Sequence, residues 1–405
     1  MQTAEELVVL KFGGSSVATP EKLRDVARLI RAHRTRRSRV VVVVSAMGDT
    51  TDDLLELAGR VSPHARAPAY RREMDMLLTA GERISMSLLS MALHDLDVES
   101  LSFTGSQSGI VTDTVHGEAR IAEIRPTRVK EALDRGQVAI VAGFQGVSRL
   151  KEITTLGRGG SDTTAVALAA DLGAVECLIY TDVDGFYSAD PRKVPAARRW
   201  TCVGWDTALL AAHYGAQVLH PRCVELAWKH GLALRVLSTF SDSELEKQDP
   251  SAIGRSGTLI TGVIGMQTGF EGSQVLSVAL QRGLARIDAS DSEDALIRCH
   301  AAGLKVHGWS TENGRLRILV ESPKLAEAIA LFPGARWETG LARIACVGVG
   351  LLQSPESQAI FLAGLRKAGL KLWASSATPV ALEAVVTDSS ALDAAVQGLH
   401  DAFIG

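Results

Sequence analysis

The chain has 405 residues, of which 46% are hydrophobic and 22% are charged. This composition is typical of an ordinary globular protein that is too long for one core, so two or three domains are predicted. The net charge of −3 gives no electrostatic reason to expect nucleic acid or an anionic membrane as a partner, and no window of about 18 apolar residues predicts a transmembrane helix. The five dispersed cysteines favour reduced thiols in the cytoplasm.

Strand-like and helical segments alternate up to residue 260, and this pattern predicts a wound, mostly parallel α/β sheet. Five successive valines, Val40–Val44, are typical of a strand that is buried on both faces. The strands are predicted at 7–11, 40–44, 98–104, 138–144, 177–181, 233–237 and 257–260. The main helices are predicted at 20–33, 52–60 and 73–94.

Two smaller α+β modules are predicted after residue 261, at 262–340 and 341–405. The second has strands at 342–348, 371–375 and 381–387 and helices at 355–368 and 391–403. This order is a ferredoxin-like βαββαβ plan that lacks its last strand. The first module is a looser version, with strands at 274–280, 284–289, 304–309 and 315–320 and helices at 293–302 and 323–331. Neither module carries a cluster of charged or nucleophilic groups, so both are interpreted as binding or regulatory modules.

The most informative segment is the glycine-rich turn Gly157-Arg-Gly-Gly-Ser-Asp-Thr-Thr164, which leads into an apolar helix. Glycines allow a close backbone approach, and a helix N-terminus attracts anions through its free N–H groups and dipole. Arg158 could add a bidentate grip on a carboxylate or phosphate. The alternative, a flexible surface loop, explains poorly why both charge signs and three hydroxyls share one turn.

Two further polar segments follow predicted strands, where wound α/β sheets bind their ligands. Lys11 precedes a Gly-Gly turn, which indicates phosphate binding, although it is not a Walker A loop. The alternative is a lysine that caps an edge strand. Thr50 and Thr51 follow the valine strand, and their alternative role is to cap a helix.

Glu82 and the segment 181–192 complete the set of candidates. Glu82 could receive a substrate ammonium group, although a glutamate on a solvated helix face is the commoner case. The segment 181–192 offers acids, an aromatic and an arginine that could line a nucleotide, but its Asp-Gly step is also a common turn. The chain has no Gly-x-Ser-x-Gly or His-Glu-x-x-His motif, which disfavours hydrolases and metalloenzymes.

Taken in this order, the segments resemble the aspartate kinase branch of the amino acid kinase family. The resemblance covers residues 7–260. The matching stretches are 11–17, 45–52, 81–82, 103–113, 157–165, 181–192, 215–221, 234–240 and 257–260. Residues 344–350 resemble the last of the two ACT domains that such enzymes carry. The resemblance therefore implies a kinase domain at 1–261 followed by ACT-like modules at 262–340 and 341–405.

The resemblance implies ATP-dependent phosphorylation of the β-carboxylate of L-aspartate, the first step toward lysine, threonine and methionine. Lys11 would stabilise the transferring phosphoryl group, and Asp162 would orient that lysine. The aspartate ligands would be Thr51, Glu82, Arg158 and Ser161. The nucleotide would be lined by Gly13, Gly14, Ser15, Thr181, Asp182, Tyr187, Asp190, Arg192 and Gln217. Mg²⁺ would be held mainly by the ATP phosphates, and the protein would have no metal site of its own. The ACT-like modules would form a homodimer.

Gln217 departs from the family pattern, because it stands where Gly-Ala-Lys-Val-Leu usually has its lysine. Charge-assisted hydrogen bonds to phosphate are roughly twice as strong as neutral ones. We therefore expect Gln217→Lys to raise kcat/KM for ATP in steady-state kinetics. An unchanged or lower value contradicts this role for residue 217.

A second departure lies at residues 288–294, which lack the Pro-Gly of the usual effector loop. Weak or altered feedback by lysine or threonine is therefore expected.

Two other functions stay open from the residues alone. One is a kinase of the same fold that acts on another amino acid or acidic metabolite. The other is a weakened regulatory protein that binds ATP or an amino acid, which only Gln217 favours.

Overall fold

The computed structural model describes residues 6–36, 39–65, 67–216, 218–248, 253–262, 274–289, 294–312 and 315–405. Gln217 and residues 290–293 of the predicted effector loop lie outside these ranges. The chain forms two compact units. The first lies within residues 1–186, 199–209 and 217–265, and the second within 187–198, 210–216 and 266–405.

An eight-stranded sheet forms the centre of the first unit, in the order β10-β12-β11-β9-β1-β2-β6-β3. All neighbouring strands in this sheet run parallel except β11 and β12. Its strands are β1 (Leu7–Phe12), β2 (Arg39–Val44), β3 (Ser100–Phe103), β6 (Val138–Ala142), β9 (Glu176–Thr181), β10 (Cys202–Gly204), β11 (Leu234–Ser238) and β12 (Thr258–Thr261). Every residue of β1 is buried, as expected for a parallel strand that is covered on both faces.

Helices and a smaller sheet complete the first unit. Its helices are α1 (Pro20–Arg36), α2 (Thr50–Val61), α3 (Arg71–Leu78), α4 (Ala80–His94), α5 (Thr127–Asp134), α6 (Gly160–Leu172), α8 (Pro221–His230) and α9 (Thr239–Gln248). Residues 205–209 of α7 (Trp205–His213) belong to the first unit and residues 210–213 to the second. The small sheet has the order β5-β4-β7-β8. Its strands are β4 (Ile110–Thr112), β5 (Ile121–Ile124), β7 (Gln145–Ser148) and β8 (Ile153–Thr155). The core between sheet and helices includes Leu10, Leu29 and Leu89, all fully buried.

The single helix predicted at 73–94 is wrong, because the structure ends α3 and begins α4 around Thr79. The Thr79 hydroxyl donates back to the Met76 carbonyl at 3.1 Å. The Thr79 carbonyl accepts from the Gln145 side chain at 3.2 Å. This contact comes from 66 residues away, so a local periodicity could not indicate the break.

The second unit contains one six-stranded antiparallel sheet in the order β14-β15-β13-β16-β18-β17. Its strands are β13 (Gln274–Ala289), β14 (Gly308–Glu312), β15 (Arg315–Glu321), β16 (Arg336–Val349), β17 (Leu372–Thr378) and β18 (Ala381–Thr387). Its helices are α10 (Ala295–Ala301), α11 (Leu325–Leu331), α12 (Pro355–Lys367) and α13 (Ala391–Phe403).

Two long strands, β13 and β16, are shared by both predicted modules. The strands predicted at 274–280 and 284–289 form one strand, whose pairing with β16 contains register shifts near Leu284. The first half of β13 lies beside the second half of β16. It thereby occupies the position of the last strand that the second module lacks in its own sequence. The strand predicted at 304–309 is displaced to 308–312.

The structure therefore confirms the predicted class, a mostly parallel α/β sheet followed by ferredoxin-like α+β modules. The predicted domain limits stay predictions. Within the described ranges, no helix combines the length and apolar character that a membrane crossing requires.

Candidate active site

The carboxyl ends of four neighbouring strands are tied together by backbone hydrogen bonds. The Gly13 N–H donates to the Tyr180 carbonyl of β9 at 3.2 Å. The Ser45 N–H donates to the Phe12 carbonyl of β1 at 3.1 Å, and the Gly143 N–H donates to the Val44 carbonyl of β2 at 2.9 Å. The loops that follow β1, β2, β6 and β9 thus start from one edge of the sheet, which is where α/β folds bind ligands.

Lys11 and Asp162 form an ion pair at this edge. The Lys11 Nζ lies 2.7 Å from the Asp162 Oδ1, and the two side chains are 11% and 14% exposed. Asp162 belongs to the first turn of α6, where the helix dipole favours a carboxylate. The carboxylate therefore holds the ammonium group in one place at the end of β1, where it can meet an anion. The edge-strand alternative is wrong, because β1 lies between β9 and β2.

The turn after β1 packs tightly against the segment after β2. A Cβ placed on Gly14 would lie 3.0 Å from the Ala46 carbonyl oxygen. The Gly48 N–H donates to the Gly14 carbonyl at 3.1 Å. No side chain caps the start of α2, and the Thr50 hydroxyl donates to the Met47 carbonyl at 2.6 Å. The helix-capping alternative for the threonines is therefore wrong, and Thr51 lies half-buried in the first turn.

Glu82 lies buried in the first turn of α4, with 3% of its surface exposed. The Ala46 N–H donates to its Oε1 at 3.3 Å, whereas its Oε2 is buried without a hydrogen-bond partner in the described chain. Burial raises the pKa of the Glu82 carboxyl from the usual 4.5 to about 7. The solvated-face alternative is wrong. An unpaired acceptor in a buried place fits an ammonium ligand.

The glycine-rich turn brings Ser161 to the end of β6. Gly159 is the N-cap of α6, with a φ of 69°. A Cβ placed on Gly143 would lie 2.7 Å from the Ser161 Oγ. The Arg158 side chain is exposed. Lys11, Glu82, Ser161 and Asp162 are thus carried by elements that the strand ends bring together.

Gly159→Ala is expected to destabilise the chain and to lower activity, because an added Cβ would lie 2.3 Å from the His220 Cβ. Gly173 ends the same helix with a φ of 67° and has nothing within 4 Å of its added Cβ, so Gly173→Ala is the matched control. The left-handed conformation costs both variants about 1–2 kcal/mol. The overpacking at residue 159 adds about 1–3 kcal/mol. Equal unfolding free energies in urea for both variants would contradict this account.

The predicted nucleotide residues are distributed between the two units. In the first unit, the Thr181 hydroxyl donates to the Asp182 carboxylate at 3.0 Å, next to the end of β9. Tyr187, Asp190 and Arg192 belong to the second unit. There the Arg192 guanidinium donates two hydrogen bonds of 3.0 Å to the Asp190 carboxylate and lowers the pKa of that carboxyl. The roles of these residues toward ATP stay predictions.

The sequence did not indicate the structural roles of three residues in this region. Asp75 is a buried carboxylate on α3, Arg222 donates to two backbone carbonyls, and Ala46 contacts both Gly14 and Glu82. A weak signal existed for Asp75 alone, because a charged residue interrupts the apolar run of Met74, Leu77 and Leu78.

The sequence pattern of the amino acid kinase family matches residues 6–238. An aspartokinase of Mycolicibacterium smegmatis is 41% identical over 421 residues, which cover 98% of this chain and 96% of that protein. An aspartokinase of Thermus thermophilus is 38% identical, with 98% of each chain covered. The crystal structure of E. coli aspartokinase III in complex with aspartate and ADP has a TM-score of 0.80 at 23% identity, covering 99% of this chain and 100% of that chain.

The fold and the strand-end loops are those of the amino acid kinase family, to which this chain belongs. Its similarity to relatives over nearly the whole length places it among the aspartokinases of that family. The predicted family, fold class and kinase activity are confirmed.

Proposed function

We propose that this protein transfers the γ-phosphoryl group of ATP to the β-carboxylate of L-aspartate, which gives 4-phospho-L-aspartate and ADP. The observation that carries the proposal is Glu82, a buried carboxylate with one unpaired oxygen. It is joined through Ala46 to the glycine turn that follows Lys11. This contact connects Glu82, which can accept from the ammonium group of an amino acid, with Lys11, a cation that can bind a phosphoryl group.

Each residue of the proposed site has a role that follows from its charge or its hydrogen-bonding groups. Glu82 would accept from the substrate ammonium, and Arg158 would hold the α-carboxylate in a bidentate pair. Thr51 and Ser161 would add hydroxyl hydrogen bonds. These contacts orient the β-carboxylate toward the γ-phosphorus.

The transfer itself requires no protein base. The aspartate β-carboxylate is already ionised near neutral pH, since its ordinary pKa is about 3.9. One of its oxygens bonds to the γ-phosphorus while the bond from that phosphorus to the ADP oxygen breaks. Lys11 balances the charge on the transferring group, and Asp162 keeps the ammonium in position.

The nucleotide would bind through the backbone N–H groups of Gly13, Gly14 and Ser15 and through Thr181 and Asp182. Tyr187, Asp190, Arg192 and Gln217 are proposed on the sequence resemblance alone. No cluster of three ligating side chains occurs in the described ranges. In this proposal Mg²⁺ would be held mainly by phosphate oxygens and water. When bound, Mg²⁺ supplies charge neutralisation on the phosphates.

An acyl-phosphate assay tests the function. The purified chain is incubated with ATP, Mg²⁺ and L-aspartate, and hydroxylamine traps the product while ADP release is followed. Hydroxamate with L-aspartate, and none with N-acetyl-L-aspartate, supports the proposal. Product with another acid only indicates a different kinase of this fold, and no product with any acid indicates a regulatory binding protein.

We also propose a homodimer formed through the ACT-like modules, in the cytoplasm. The edge strands β14 and β17 leave backbone groups available for pairing, and Trp309 on β14 is 61% exposed. The free cysteines favour a reducing compartment. Light scattering on the purified chain measures the mass directly.

A further inference from the structure

Asp75, on α3, is a buried carboxylate that the proposed mechanism does not use. Its side chain is 1% exposed. It accepts from the His116 Nδ1 at 2.6 Å, from the Gly117 N–H at 3.1 Å and from the Thr155 hydroxyl at 2.6 Å. A buried carboxylate needs such donors, because its desolvation is costly. Asp75 thereby joins α3, the 116–119 loop and the last residue of β8.

The 116–119 loop supports the start of the glycine-rich turn. Gly157 follows β8 after one residue and has a φ of 73°. A Cβ placed on it would lie 3.1 Å from the Gly117 carbonyl oxygen and 3.4 Å from the Glu118 Cγ. Gly157 therefore packs directly against the loop that Asp75 holds.

Arg222 joins the same two segments from α8. Its Nη1 donates to the Leu156 carbonyl at 2.8 Å, and its Nη2 donates to the Ala119 carbonyl at 2.7 Å. The Ala119 N–H donates to the Thr155 carbonyl at 2.9 Å. The backbone at Thr155 and Leu156, which leads into Arg158, is thus fixed to the loop.

Arg158 depends on this support. Its side chain is exposed and makes no hydrogen bond or ion pair within the described chain. Only its backbone therefore sets where the guanidinium group can reach. A shift of about 1 Å in a group that orients a substrate can lower the catalytic efficiency, kcat/KM, by as much as about 10²-fold.

We propose that Asp75 is a positioning residue for substrate binding, which acts by holding the 116–119 loop and β8 and so fixes the place of Arg158. This inference rests on the proposed role of Arg158 toward the substrate α-carboxylate. It assigns no contact between Asp75 and the substrate. It predicts that loss of the Asp75 hydrogen bonds raises the KM for aspartate selectively.

The experiment compares Asp75→Asn, Thr155→Val and Arg158→Gln in steady-state kinetics. The asparagine keeps the shape of Asp75 but replaces one accepting oxygen by a donor, and the valine removes the Thr155 hydroxyl. We expect Asp75→Asn and Thr155→Val to raise the aspartate KM at least about fivefold. The ATP KM and kcat should stay within about threefold. Thr155→Ser, which keeps the hydroxyl, should restore the wild-type KM.

Asp242→Asn is the matched control for a general loss of stability. Asp242 is also fully buried in the first unit and accepts from the Tyr180 hydroxyl, the Gly254 N–H and the Ser256 hydroxyl. Its variant should lose stability without a change in the aspartate KM. An equal rise in KM for Asp242→Asn overturns the inference, because any buried carboxylate would then have the same effect.

The remaining outcomes separate this inference from the proposed function. If Arg158→Gln raises the aspartate KM and Asp75→Asn does not, the positioning role is wrong and the function stands. If Arg158→Gln leaves the aspartate KM unchanged, the proposed substrate contact itself is wrong.

Hydrogen exchange provides a readout without turnover. Faster amide exchange at 157–159 in Asp75→Asn than in Asp242→Asn supports the positioning role, and equal exchange contradicts it.

Discussion

Replacing Lys11 by Met is expected to lower kcat by at least about 10²-fold, because removing one group that stabilises transition-state charge costs about 10²–10³ in rate. The ammonium group lies 2.7 Å from the Asp162 carboxylate at the end of β1. Steady-state measurement of acyl-phosphate formation at saturating ATP and aspartate gives the effect directly.

The single variant also leaves the Asp162 carboxylate without its counter-ion in a mostly buried place, which costs about 3–5 kcal/mol of stability. The double variant Lys11→Met with Asp162→Asn removes both charges. It should recover much of the stability and none of the rate, which separates chemistry from folding. Urea denaturation measures the first quantity and turnover the second.

Lys130→Met is the matched control. Lys130 is half-exposed and lies 3.5 Å from the Asp171 carboxylate at the surface of the same unit. A surface ion pair contributes about 0–1 kcal/mol, so this variant should keep wild-type kcat. A kcat for Lys11→Met within tenfold of the wild type would contradict the role of this lysine.

Glu82→Gln is expected to raise the aspartate KM roughly 10- to 100-fold, since a hydrogen bond to a charged group contributes about 1.5–3 kcal/mol. In the wild type, the pKa of Glu82 of about 7 makes the carboxylate form scarce below neutral pH. kcat/KM for aspartate should therefore rise about tenfold per pH unit up to pH 7 and then level off. In the glutamine variant this rise should be absent.

The same carboxyl predicts an opposite effect on stability. Its folded-state pKa of about 7 lies above the usual 4.5, so the folded chain binds more protons than the unfolded chain between these pH values. Stability therefore falls as pH rises through this window. The destabilisation is absent below about pH 4.5 and complete above about pH 7, where it amounts to about 3 kcal/mol. Glu82→Gln should thus be more stable than the wild type at pH 8 and nearly equal to it at pH 5.

Glu56→Gln is the control for these measurements, because Glu56 is 73% exposed on α2 and its partner Arg60 is exposed too. Neither the aspartate KM nor the pH dependence of stability should change in this variant. An unchanged aspartate KM in Glu82→Gln would rule out Glu82 as the ammonium ligand.

Most strands and helices were predictable from the sequence, because periodicity and strand-end glycines are local properties. Val40–Val44 and Leu7–Lys11 lie in the strands predicted for them. The errors occur where a distant contact competes with a local pattern. The Gln145 side chain donates a hydrogen bond to the Thr79 carbonyl, where the predicted helix is interrupted. The pairing of β13 with β16 joins two predicted strands into one.

The candidate site also has features that the sequence predicted and features that only the structure shows. The sequence alone indicated Lys11, Glu82 and the Gly157–Thr164 turn as candidates, because residue types and the order of strands and glycine turns along the chain are local properties. Only the tertiary structure decided that Glu82 is buried with a raised pKa, that Asp162 holds Lys11, and that Asp75 supports the glycine-rich turn. Burial, pKa and hydrogen-bond partners depend on groups tens of residues apart, and folding alone brings those groups together.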